Sequence, residues 1–93
     1  MKAFKKAVGE PWTEIDIDNT LEALQKAVGG YIECVSLATD ICLIVDEEGL
    51  LKGKEYNVTF CGMPLVGTVL LVGVDGDDFC DVPNNIKDFL GGI

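Results

Sequence analysis

The sequence predicts an α+β domain: a mixed or mainly antiparallel sheet of about five strands, with one amphipathic helix packed on a face and a short C-terminal helix. Three observations lead there. Residues 19–30 run from a helix start through an amphipathic turn pattern to a double glycine, and Tyr31-Ile32-Glu33-Cys34-Val35 follows at once. Thr13, Ile15 and Ile17 alternate with Glu14, Asp16 and Asp18, the period-two pattern of a strand with one wet face. Leu65 to Val74 is apolar on both alternating faces, the mark of a strand covered on both sides at the centre of a sheet.

In chain order, residues 2–8 alternate loosely and end at a Gly9-Glu10-Pro11 turn, so a hairpin from 2 to 17 is expected. The helix spans about Thr20 to Val28. Leu21, Leu24 and Val28 form its apolar stripe, Asn19 is the expected N-cap with Glu22 at the capping-box spacing, and Gly29 is the expected stop. Tyr31–Leu37 and Asp40–Val45 form a second hairpin, with Tyr31 anchoring the strand it opens. Asp46-Glu47-Glu48-Gly49 reads as an acidic turn, and Leu50 to Asn57 as an irregular stretch with one helical turn. Val58–Cys61 forms a short strand, Leu65–Val74 the central one, and Asp75-Gly76-Asp77-Asp78 the next turn. Ile86–Leu90 is the short final helix, ended by Gly91-Gly92.

Ninety-three residues make a single domain, 1–93, large enough for one core. The apolar fraction of 48% and a positive mean hydropathy argue for folding despite a net charge of −9. Sixteen carboxylates face seven lysines, with no arginine or histidine, so no basic face exists for direct nucleic-acid binding; the field favours a basic protein partner instead. Neither an export signal nor a membrane partner is expected. The lysines at 2, 5 and 6 are followed by Gly9-Glu10-Pro11-Trp12 rather than an apolar run, and no stretch approaches the 18 or so residues that cross a bilayer.

The cysteines at 34, 42, 61 and 80 show no C-x-x-C spacing, so zinc is not expected. Their apolar neighbours suggest reduced core or near-core thiols in an intracellular compartment. A hairpin loop centred on Ala38 would set Cys34 opposite Cys42. Calcium by an EF-type loop fails, because a loop starting at Asp16 has Leu21 in place of the glycine and Ala27 in place of the final glutamate. Without an imidazole the usual Cys-His and Ser-His pairs are excluded, and no phosphate-binding glycine motif exists. No catalytic residue, cofactor or metal ligand is therefore assigned.

Gly9-Glu10-Pro11, the box Leu21-Glu22-Ala23-Leu24-Gln25-Lys26-Ala27-Val28-Gly29-Gly30-Tyr31-Ile32-Glu33, Asp46-Glu47-Glu48-Gly49 and Gly67-Thr68-Val69-Leu70-Leu71-Val72-Gly73 together resemble the family catalogued as domain of unknown function 3846. The likeness spans nearly the whole chain. It implies a small protein of bacteriophages and conjugative elements of Gram-positive bacteria, and it supplies no catalytic residues. The chain departs from the family pattern after Gly49, where Leu50 to Asn57 carries no proline.

The expected function is that of a non-enzymatic, acidic interaction protein of phage or mobile-element origin, acting in the host cytoplasm in host takeover or defence evasion. Its partner would be a basic host protein. Asp46, Glu47, Glu48, Asp75, Asp77 and Asp78 would steer the encounter, while Trp12 or Tyr56 anchors it; Trp12 has an alternative role as a lid over the sheet. Two other functions fit the same residues: a small-ligand-sequestering protein using Lys52 or Lys54, and a homodimeric accessory protein paired through an edge strand.

Overall fold

The computed structural model describes residues 1–90. Their elements are β1 (Lys2–Lys6), β2 (Thr13–Asp16), α1 (Leu21–Val28), β3 (Ile32–Ala38), β4 (Ile41–Asp46), β5 (Tyr56–Phe60), β6 (Met63–Val66), β7 (Val69–Asp75), β8 (Asp78–Cys80) and α2 (Ile86–Leu90). The sheet is antiparallel throughout, in the order β2-β1-β7-β4-β3, with β8 added to β7. It therefore has six strands, and β5 and β6 form a separate two-stranded sheet, against the single sheet of about five strands expected. β4 and β8 both pair with β7 at Gly73, so they lie on opposite sides of it and β8 continues the edge that β1 occupies lower down.

β4 and β7 carry the sheet because both of their faces are covered. Cys42, Ile44, Leu70 and Val72 turn to one side with Ala3, where Leu24 and Val28 of α1 close over them. Leu43, Val45, Val69 and Leu71 turn to the other side with Phe4, beneath Phe60 and Leu65 of the β5–β6 hairpin and beneath Val82 and Ile86. The β5–β6 hairpin, the sheet and the helix thus stack as three layers. A strand buried on both faces has no need of alternation, which is why both segments read as continuous apolar runs.

Several expectations need correction. The apolar run 65–74 is two strands, not one: Gly67 takes φ +71°, breaks the ladder and turns β6 away into the hairpin. A Cβ there would stand 2.8 Å from Lys54 Cδ, so both the backbone and the space demand glycine. Only the second half of the run is the central strand. The helix cap is Thr20, whose Oγ1 accepts from the Ala23 N–H at 3.2 Å; Asn19 instead donates to the Phe79 carbonyl at 2.8 Å, and Glu22 stands one position short of the capping-box site. Leu21 lies outside the stripe and is exposed, because the helix meets the sheet through Leu24 and Val28. Tyr31 is exposed rather than an anchor. β8 carried no periodic signal in its three residues. The Gly91-Gly92 stop lies outside the described residues.

Cys34 faces Ile44 and Ser36 faces Cys42, so the two cysteines are diagonal neighbours rather than directly opposed. Nor are the thiols uniformly in the core: Cys42 is buried and Cys80 half-buried, whereas Cys34 and Cys61 are exposed.

Two substitutions test this arrangement by urea denaturation. Leu71→Ala, in a fully buried β7 position, is expected to cost roughly 2 to 5 kcal/mol. Thr20→Ala is expected to cost about 1 kcal/mol as the loss of a cap. A neutral Thr20→Ala would return the capping role to Asn19.

Candidate functional site

The box that joins α1 to β3 and the acidic turn after β4 meet at one carboxylate. Asp46 ends β4 opposite Ile32, and its side chain is almost wholly enclosed. Its Oδ2 accepts from Lys54 Nζ at 2.7 Å and Lys52 Nζ at 2.9 Å, and its Oδ1 from the Glu48 N–H at 2.9 Å. The same two ammonium groups reach the end of α1, where Lys54 donates to the Val28 carbonyl at 2.6 Å and Lys52 to the Gly29 carbonyl at 3.1 Å. These carbonyls lack partners inside the helix and lie at its negative end, so the lysines satisfy them and complement the dipole. Gly30 is packed against this group so closely that a Cβ would stand 2.7 Å from Asp46 Oδ1.

Burial alone would raise the Asp46 pKa. The Lys54 and Lys52 bonds and the Glu48 N–H more than reverse that, and hold the carboxyl well below the usual carboxylate range. Asp46 is therefore an internal counter-ion, not one of the exposed steering charges the sequence suggested. Lys52 and Lys54, the candidate ligand lysines, are committed to it.

The other acidic residues are placed differently. Glu47 is exposed and Glu48 half-exposed beside the start of β3, where the Glu47 N–H donates to the Tyr31 carbonyl at 2.8 Å. Asp75, Asp77 and Asp78 are exposed at the β7–β8 turn. β7 runs antiparallel to β4, with Gly73 opposite Ile41, so this turn lies at the far end of the sheet from Glu47. The six acidic candidates thus divide into an interior residue and two separate poles. At the β7–β8 pole Asp40 also draws near, its carbonyl accepting from the Val74 N–H, and Asp81 binds the Lys2 N–H at 2.8 Å. Among the described residues none of Asp75, Asp77 and Asp78 is in an ion pair.

Of the two anchors, Trp12 packs edge-on against Phe60 with centroids 6.1 Å apart and an interplanar angle of 81°, which is the lid geometry. Tyr56 is exposed, and its hydroxyl is bonded to Thr59 Oγ1 at 2.8 Å.

The space beneath α1 is filled by Leu24, Val28, Cys42, Ile44, Leu70 and Val72. Burial pushes the Cys42 thiol up to about 12 and also raises those of Cys34 and Cys80, opposite to the lowering that activates a thiol nucleophile. Among the described residues no group of three or more acidic or cysteine side chains is placed to hold a metal ion. No helix among them is long and apolar enough to cross a membrane.

A family model described as domain of unknown function (DUF3846) matches residues 1–92, and the chain belongs to that family. No curated protein and no solved structure matches it.

Because the folded Asp46 carboxyl titrates below its unfolded value of about 4, its contribution to stability is complete above that pH and is lost as the pH falls toward the folded value. Asp46→Asn is expected to cost roughly 2 to 3 kcal/mol at pH 7. That is below the 3 to 5 kcal/mol typical of a fully buried pair, since Lys52 stays partly hydrated. Acidification from pH 5 to pH 3 should then destabilise the wild type more than the variant. Equal losses, read by urea denaturation at each pH, would show that Asp46 is not the titrating group.

Proposed function

We propose that this family member is a non-enzymatic interaction protein of phage or mobile-element origin, which engages a basic host protein in the bacterial cytoplasm in host takeover or defence evasion. The reading is supported by the contrast between Asp46 and the remaining acidic turn residues. Asp46 is enclosed and neutralised by two lysines, whereas Glu47, Asp75, Asp77 and Asp78 stay in water. A net charge of −9 attracts a basic surface from a distance and raises the rate of encounter. Sequestration of a phosphorylated ligand draws no support from Lys52 and Lys54, whose ammonium groups are already bound. Trp12 serves this reading less well than Tyr56, because its ring is turned onto Phe60.

Charge reversal separates the poles. Glu47→Lys with Glu48→Lys, and Asp75→Lys with Asp77→Lys and Asp78→Lys, are compared with wild type in affinity capture from a Gram-positive host lysate, followed by association kinetics on the captured protein at several salt concentrations. Reversal of the engaged pole is expected to slow association by about tenfold and flatten its salt dependence. Unchanged rates and salt dependence in both variants would sink the proposal.

A further inference from the structure

β3 ends the sheet, and among the described residues no strand pairs with its outer side. Natural edges are usually guarded by charge, proline or brevity. The opposite edge follows that rule, since β2 has four residues and carries Glu14 and Asp16. β3 does not: it is seven residues long, and its regular stretch, Ile32 to Ser36, holds one charge, Glu33, before the register shifts between Ser36 and Ala38.

This edge opens onto a groove. Glu33 stands opposite Val45 and Val35 opposite Leu43, so both point to the side of the sheet that the β5–β6 hairpin covers. The space between that hairpin and the β3 end of the sheet, about 310 Å³, is lined by Val45, Leu65, Met63 and Leu50, with Glu33 and Glu47 among its walls. Leu50 is 81% exposed and Met63 38%, so apolar surface remains open there. The groove is apolar in its floor and acidic in its walls, and the nearby cations, Lys52 and Lys54, are bound to Asp46.

We propose that the outer edge of β3 receives an extended segment of a partner protein as an added strand, one face of which sets apolar side chains into the Leu50–Met63 groove and basic side chains against Glu33 and Glu47. Main-chain pairing supplies the fit and the alternate side chains supply selectivity. Charge complementarity chooses the occupant. A second copy would bring a further net charge of −9 and another Glu33 to the same seam, whereas a basic segment removes the repulsion. The inference rests on the basic-partner reading and narrows it to one edge.

The probe is the acetylated, amidated heptapeptide Lys-Thr-Val-Thr-Val-Thr-Lys, which places Lys, Val, Val and Lys on one face, titrated into ¹⁵N-labelled full chain. Two versions carry N-methyl groups, one on the odd backbone amides and one on the even. A strand offers only alternate amides to its neighbour, so one methylated set is expected to bind about tenfold or more weakly while the other binds like the parent, with shifts concentrated on Ile32 to Ser36. Glu33→Lys should weaken the parent peptide as well. Equal binding by both methylated forms would overturn the inference, as would concentration-dependent protection of β3 without peptide, which would assign the edge to a second copy. Heptalysine, titrated in parallel, separates this inference from the broader reading. If heptalysine binds in a salt-dependent way while the heptapeptide gives no strand signature, only the β3 assignment falls. If neither peptide binds, both fall.

Discussion

One enclosed carboxylate governs how the helix sits on the sheet. Asp46 terminates β4, so its position is fixed by the ladder to β3, and it gathers two lysines from the loop that follows. Those lysines in turn grip the last carbonyls of α1. The end of α1, the end of β4 and the loop of residues 52–54 are thereby fixed at one point. The geometry also explains the glycines around it, since a side chain at Gly30 or Gly67 would displace either the carboxylate or the Lys54 stem. A buried ion pair gives little net stabilisation relative to an apolar substitute, whereas removing one partner is costly because it leaves a buried charge uncompensated.

The second constraint is the doubly covered pair β4 and β7. Apolar residues on both faces of these strands require two covering layers, and a chain of this length provides them with one short helix and one hairpin. Asn57 links the hairpin layer to the sheet: its Nδ2 donates to the Lys6 and Gly67 carbonyls, and its Oδ1 accepts from Lys6 Nζ. A buried amide with each of these bonds made positions the hairpin as Asp46 positions the helix.

Much of this was legible beforehand, and the misses have physical reasons. The two hairpins and the helix announced themselves through local periodicity, and β7 through its apolarity on both faces. The break at Gly67 was hidden because an apolar run looks the same whether the chain continues or turns, and only the positive φ distinguishes them. Thr20 and Asn19 are both good caps one position apart, so the choice between them was made by the tertiary bond from Asn19 to Phe79. Of the proposed surface residues, Glu47, Asp75, Asp77, Asp78 and Tyr56 lie where a polar residue would be expected. Asp46 was misjudged because Asp46-Glu47-Glu48 reads as one solvated run. The signal that could have singled it out was Lys52 and Lys54, six and eight residues on and close enough in sequence to fold back over it.

The strand order has a consequence for how the protein is made. β1 and β4 are not paired, and the sheet is whole only because β7 lies between them. During synthesis both early hairpins leave the ribosome with an unsatisfied edge and wait until residues 69–75 arrive to join them. The chain is thus most exposed to misassociation in the interval before residues 69–75 dock between the two hairpins.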